Sequence, residues 1–95
     1  MNIINYIPKG KANAVGRKYL CSVTNLSDRE VREQISRARR TTVILSCDLG
    51  GYYLPTIEES GEVTQFVNRE SKRARSIFWS LKGARDWEKE NAVIN

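Results

Sequence analysis

The segment that most limits how this chain can fold is "NLSDREVREQISRARR", Asn25 to Arg40, because it contains both a helix stop and a helix start. Asparagine tolerates the left-handed backbone conformation that ends many helices, so a helix is predicted to end at Asn25. Ser27 and Glu30 have the spacing of a capping box, in which each side chain accepts a hydrogen bond from the other residue's backbone amide. Asp28 adds a negative charge at the positive end of the helix dipole. A second helix is therefore predicted to begin directly after Ser27.

This second helix has one apolar face and one polar face. Val31, Ile35 and Ala38 are spaced by four and three residues, so they are expected to face a core. At about 100° per residue, the opposite side of the helix carries Arg29, Glu33, Ser36 and Arg40, with Arg32 and Arg37 on its flanks. A polar, mostly basic surface is thus predicted to point away from the core.

The residues before this helix predict short elements and one further helix. An apolar stretch from Met1 to Ile7, with Ile3, Ile4 and Ile7 at helical spacing, predicts a short helix that stops at Pro8. A short strand is expected at Ala14 and Val15. A helix is predicted from Arg17 to Thr24. Its inner face is expected to carry Leu20, Val23 and Cys21.

The residues after the basic helix predict a β-hairpin and a long helix. β-branched and aromatic residues at 42–47 and 51–54 flank a turn at 48–51, and Pro55 closes the hairpin. Residues 62–91 contain no proline and one glycine, which predicts a single long helix. Seven of its positions alternate in steps of four and three, as in a heptad seam: Val63, Val67, Glu70, Ala74, Ile77, Leu81 and Ala84.

These elements indicate a mainly α chain with a small β-hairpin, organised as one structural domain. Residues 1–55 are predicted to form the head, and residues 56–95 a connector and the long C-terminal helix. A head of about 55 residues has little core of its own. The long helix is therefore expected either to pack on the head or to join two copies of the chain.

Composition limits the kind of function. The chain has 16 Lys and Arg against 11 Asp and Glu, a net charge of +5, which favours an acidic partner. It has no histidine, and Cys21 and Cys47 are far apart, so no zinc site is expected. Without a histidine base, a glycine-rich phosphate loop or a nucleophile–base pair, we expect no enzyme activity, cofactor or small-molecule substrate.

Composition also bears on location. Two isolated cysteines among apolar neighbours are typical of buried thiols in a reducing compartment. No run approaches the ~18 apolar residues of a membrane span, and the first ten residues lack the features of a signal peptide. A cytoplasmic location is therefore expected.

The order helix, strand, helix, turn, basic helix, hairpin, long helix is the layout of a winged helix-turn-helix. "NAVGRKYLCSVTNLSDREVREQISRARR", "SCDLGGYYLP" and "ESKRARSIFWSLKGAR" resemble small winged helix-turn-helix proteins encoded by phages and prophages of Gram-positive bacteria. The resemblance covers roughly residues 3–85. It implies sequence-specific binding of double-stranded DNA in phage gene regulation, recombination or replication, in the cytoplasm of a bacterial host. Asn25 replaces the commoner turn glycine, and Gly16 stands where an N-cap is usually Ser or Asp.

In such a unit the basic helix lies in the major groove. Arg29 and Arg32 would then bind guanine O6 and N7. Glu33 could accept from cytosine N4, although an ion pair with Arg29 or Arg37 is favoured. Ser36 could reach a base or a phosphate. The phosphate-binding set would be Arg37, Arg40, Arg17, Lys18 and Thr42. For all of them the alternative is an ordinary solvated surface.

Other features favour a different class of function. The hairpin turn "CDLGG" has no Lys or Arg, so it would approach a phosphate only through the backbone of Gly50 and Gly51. The basic cluster Arg69–Ser76 could bind phosphates, bind an acidic partner or form a wet helix face. A protein-interaction module that docks on a host or phage protein through the C-terminal helix is the main alternative, and a homodimer with an architectural role is the third.

Overall fold

The computed structural model describes residues 2–92, and the chain divides into two compact units between Thr64 and Gln65. The fold is mainly helical, with a small antiparallel sheet and a long helix in its C-terminal part. None of the helices within residues 2–92 combines the length and the hydropathy that a bilayer crossing requires.

The first unit contains three short 3₁₀ helices, three strands and two complete α-helices. The 3₁₀ helices are Ile3–Tyr6, Lys11–Asn13 and Ile57–Glu59. The strands are β1 (Val15–Gly16), β2 (Leu45–Ser46) and β3 (Gly51–Tyr53). The α-helices are α1 (Arg17–Thr24) and α2 (Asp28–Ala38), and the first turn of α3 (Ser60–Ser80) also lies in this unit.

The connection between α1 and α2 is as predicted. Asn25 ends α1 in the left-handed conformation, with φ 58° and ψ 24°. The Ser27 Oγ accepts from the amide of Glu30 at 3.2 Å, and the Glu30 carboxylate accepts from the amide of Ser27 at 3.3 Å. The capping box thus provides acceptors for two backbone amides at the start of α2.

The sheet has the strand order β1-β3-β2, and both pairs are antiparallel. β2 and β3 form the predicted hairpin with shorter strands, and Leu45 pairs with Tyr53. The short strand predicted at Ala14 and Val15 lies at Val15–Gly16 and pairs with the other edge of β3. Gly51 is buried and leaves no room for a side chain, since a Cβ there would lie 2.9 Å from the Cβ of Ala14.

The core of this unit joins the N-terminal segment to both helices and the hairpin. It consists of Ile3, Ile7, Leu20, Val31, Ile35 and Ile44. The predicted inward face of α2 is confirmed for Val31 and Ile35, while Ala38 is half-buried. The prediction for Val23 is wrong, since this side chain is exposed. Thr24 is buried instead, and its hydroxyl is satisfied there, since it donates to the Leu20 carbonyl and accepts from the Leu26 amide.

Two glutamates attach the start of α3 to the rest of this unit. The Glu59 carboxylate accepts from the amides of Thr56 and Lys11, both at 2.9 Å. These hydrogen bonds lower the pKa of Glu59, because they favour its charged form. Tyr53 on β3 donates its hydroxyl to the Glu62 carboxylate, and burial together with this carboxylate raises the pKa of Tyr53.

The C-terminal part does not form one uninterrupted helix, so that prediction is wrong. α3 (Ser60–Ser80) and α4 (Lys82–Glu90) are separated at Leu81. The Ser80 hydroxyl donates to the carbonyl of Ile77 at 2.7 Å, which is the acceptor an uninterrupted helix would offer to the Leu81 amide. That amide instead donates to Phe78, three residues back, at 3.2 Å.

Candidate functional site

The outward face of α2 is the first part of the candidate site. The capping box fixes where α2 begins, and Val31 and Ile35 in the core fix its rotation. Arg29 is then directed into solvent, with 84% of its side chain exposed. Arg32, Glu33, Ser36 and Arg37 are exposed on the same helix. The structure thus places these predicted residues on one accessible surface.

Two of the arginines on this face are next to carboxylates. The Nε of Arg29 lies 3.4 Å from Glu33 Oε1, as expected from their spacing, and the Nε of Arg32 lies 3.2 Å from Asp28 Oδ2. Exposed ion pairs of this kind contribute about 0.2–1 kcal/mol. Such pairs orient the guanidinium groups but can be exchanged for a stronger partner at little cost.

Asp28 also connects α2 to α1. Its Oδ1 lies 3.0 Å from the Nε of Arg17, the first residue of α1. One carboxylate therefore holds an arginine with each of its oxygens, one from each helix. We did not predict this contact from the sequence. The sequence contains only an indirect signal: Arg17 begins α1, and Gly16 before it has no side chain that could cap the helix.

An open cleft of about 700 Å³ lies between the starts of α1 and α2 and the hairpin turn. We call it the hairpin cleft; it is lined by Gly16, Arg17, Lys18, Cys21, Asp28, Tyr52 and residues 46–50. Both cysteines line it, each half-buried as a free thiol. Lys18 is exposed and forms no ion pair with any residue in the 2–92 range.

The other predicted phosphate ligands lie at the opposite end of α2. Arg37 borders a shallow groove beside the N-terminal 3₁₀ helix, and Arg40 is exposed just beyond the helix. Neither forms an ion pair within the described residues. Thr42 is half-buried and its amide donates to the Ala38 carbonyl at 2.9 Å. The basic residues therefore form two groups, one at each end of α2.

The hairpin turn has a feature that sequence reasoning missed. The amide of Gly50 donates to the Cys47 carbonyl at 2.8 Å, and Gly50 adopts φ 85°, which glycine permits. Leu49 is consequently placed at the tip with 98% exposure. Of the two glycines predicted to approach a phosphate, only Gly50 is exposed. The tip thus presents a leucine and Asp48 to solvent.

No group of three or more carboxylates or thiols that could hold a metal ion occurs within residues 2–92. Comparison with models of protein families, with curated proteins and with solved structures finds no match to this chain.

Proposed function

We propose that this protein binds double-stranded DNA in a sequence-specific manner, as a winged helix-turn-helix in which α2 is the recognition helix. The observation that carries the proposal is the division of α2 into a face with Val31 and Ile35 in the core and an exposed face with Arg29 and Arg32. A role in phage or prophage gene regulation, recombination or replication rests on the family resemblance alone.

The dimensions of α2 support this proposal. An α-helix with its side chains is about 10–12 Å across, which fits the major groove, about 12 Å wide, and the 11 residues of α2 extend about 16 Å along it. In this arrangement the N-terminal part of α2 lies at base edges. Arg29 and Arg32 bind guanines, Ser36 lies within reach of a base or phosphate, and Glu33 orients Arg29 rather than reading cytosine.

The basic residues at the ends of the two helices support phosphate contacts. Arg17 and Lys18 occupy the first turn of α1, where positive charge opposes the helix dipole and no acidic residue lies in the same turn. Arg17 pairs with Asp28, whereas Lys18 forms no ion pair within residues 2–92, which favours a role for Lys18 in binding an anion. Arg37 and Arg40, unpaired within residues 2–92, and Thr42 would contact the phosphate backbone beyond the other end of α2.

Selection of bound duplexes from a random pool, followed by anisotropy titration of the enriched duplex, tests the proposal. An Arg29→Ala/Arg32→Ala variant should lose at least about tenfold in affinity, because each bidentate guanine contact contributes about 1–3 kcal/mol of discrimination. Lys9→Ala/Lys89→Ala is the control, since it removes two exposed positive charges outside α2. Unchanged affinity and an unchanged enriched sequence in the first variant would refute the proposal.

Salt titration separates the phosphate contacts from the base contacts. Arg37→Ala or Arg40→Ala should weaken binding to all duplexes alike and reduce the slope of log affinity against log salt by about 0.9. If the substitution lowers affinity for the enriched duplex only, that arginine instead contacts a base edge.

Exposed aromatic residues favour a second candidate function. In the C-terminal unit Phe78, Trp79 and Trp87 are all more than half exposed, and the hairpin tip has no basic residue. These features support a protein-interaction module that binds a host or phage protein, or a homodimer formed through the seam on α3. Absence of salt-dependent binding to random duplex DNA at micromolar protein would favour this class. Sedimentation then distinguishes a homodimer from a monomer that awaits another partner.

A further inference from the structure

Asp28 is the one carboxylate that contacts two arginines on different helices within residues 2–92. Its Oδ1 lies 3.0 Å from Arg17 Nε and its Oδ2 lies 3.2 Å from Arg32 Nε. Asp28 is also the first residue of α2, immediately after the Ser27 cap. The capping box therefore fixes the backbone from which this carboxylate extends.

The contact with Asp28 orients the Arg32 side chain along α2. Because Asp28 is four residues earlier, the Arg32 guanidinium is held back toward the N-terminal turn of the helix. That turn is the part of a recognition helix that lies at base edges. A free arginine side chain has about 2 kcal/mol of rotamer entropy and would also reach phosphates, which carry no sequence information.

The negative charge of Asp28 also disfavours contacts with phosphates at this end of α2. It partly neutralises Arg17 and Arg32 at the end of α2 nearest the bases, and it repels any phosphate that comes close to this end. Repulsion of the wrong contact is a common source of specificity. Both effects weaken non-specific binding more than binding to the correct sequence.

We propose that Asp28 is a positioning residue that increases sequence discrimination by restraining Arg32, together with Arg17, toward the base-reading end of α2. The proposal rests on the proposed function, because it concerns how the same face distinguishes one duplex from another. Asp28 itself contacts no base in this scheme.

The test compares wild type and Asp28→Asn by anisotropy, with the enriched duplex and a scrambled duplex of the same composition at several salt concentrations. The variant should bind the scrambled duplex several-fold more tightly, and the ratio of the two affinities should fall by up to about fivefold, because an exposed ion pair contributes at most about 1 kcal/mol. The salt slope should steepen by about 1, since Arg32 becomes available to phosphates.

Asp86→Asn is the matched control. Its carboxylate is exposed to the same extent as that of Asp28, 52%, and pairs with Lys82 four residues away in α4, so the charge change is identical. This control should leave the affinity ratio unchanged. In an Arg32→Gln background, Asp28→Asn should alter the ratio less than threefold, because the restrained side chain is absent.

The outcomes are distinguishable. If wild type enriches no sequence, the proposed function is wrong and this inference with it. If wild type enriches a sequence but Asp28→Asn lowers both affinities by the same factor, Asp28 only stabilises α2 and the inference alone is wrong. A similar loss of discrimination in Asp86→Asn would likewise overturn it, because net charge would then be the cause.

Discussion

Tyr53→Phe tests how the sheet is joined to the helix that follows it. Tyr53 lies on β3 with 2% of its surface exposed, and its hydroxyl donates to Glu62 Oε2 at 2.5 Å in the first turn of α3. Phenylalanine keeps the ring and therefore the apolar contacts. The variant removes one donor and leaves the half-buried Glu62 carboxylate without it.

The expected cost follows from the charge of the acceptor. Hydrogen bonds to charged groups contribute about 1.5–3 kcal/mol. Glu62 retains Lys11, whose Nζ lies 3.7 Å from the other carboxylate oxygen, and it has some contact with solvent. The free energy of unfolding should thus fall by a value near the lower limit, about 1.5–2 kcal/mol.

Urea unfolding followed by far-UV circular dichroism at pH 7 measures this cost. Tyr52→Phe is the matched control: Tyr52 is on the same strand, is half-buried, and its hydroxyl has no hydrogen-bond partner within residues 2–92. The control should change the free energy of unfolding by less than about 0.5 kcal/mol. Equal effects of the two substitutions would refute the reasoning.

The pH dependence gives a second criterion. The folded state raises the pKa of Tyr53, through burial and the adjacent Glu62 carboxylate. A group with a raised pKa contributes stability that is complete below its unfolded pKa, about 10, and is lost as the pH rises above it. The difference in unfolding free energy between wild type and Tyr53→Phe should therefore narrow above pH 10. A difference that stays constant up to pH 11 would contradict this account.

Two further predictions concern the same unit. Glu59→Gln should lower the free energy of unfolding at pH 7. The difference in this free energy from wild type should shrink as the pH falls from about 5 to 3, because a carboxylate with a lowered pKa stabilises the fold only while it is charged. A difference in urea midpoints that does not depend on pH would refute this prediction. Gly51→Ala should destabilise the fold by about 1–3 kcal/mol, since the added Cβ would lie 2.9 Å from Ala14. Gly61→Ala in α3 is the comparison: its Cβ would meet no atom within 4 Å, so it should stabilise the fold by about 0.5–1 kcal/mol. Equal thermal midpoints in the two variants would contradict this.

The parts of the fold that the sequence predicted correctly depend on short-range chemistry. Asn25, Ser27 and Glu30 determine where one helix ends and the next begins, and their partners are within three residues. The Arg29–Glu33 pair was predictable for the same reason. The exposed face of α2 followed from helical periodicity, because Val31 and Ile35 set its rotation.

The parts that sequence reasoning missed depend on which of two neighbouring groups forms a contact, or on partners that lie on another helix. On α1 the structure exposes Val23 and buries Thr24, whose hydroxyl donates to the Leu20 carbonyl, so hydrophobicity alone did not identify the inner face. At the end of α3 the Ser80 hydroxyl donates to the Ile77 carbonyl, a contact that the sequence does not signal because serine also occurs in uninterrupted helices. The Arg17–Asp28 contact joins two helices across a turn, and no periodicity indicates it.

The charges along α2 differ between its two ends. Near the start of the helix, Arg29 and Arg32 are each next to a carboxylate, so the local field is weak and the side chains are oriented. Near its end, Arg37 and Arg40 have no such partner within residues 2–92. If α2 binds DNA as proposed, attraction to phosphates arises mainly at the second end and discrimination at the first. Arg37→Ala and Arg40→Ala should then change the salt slope without changing the enriched sequence, whereas Arg29→Ala and Arg32→Ala should change the enriched sequence.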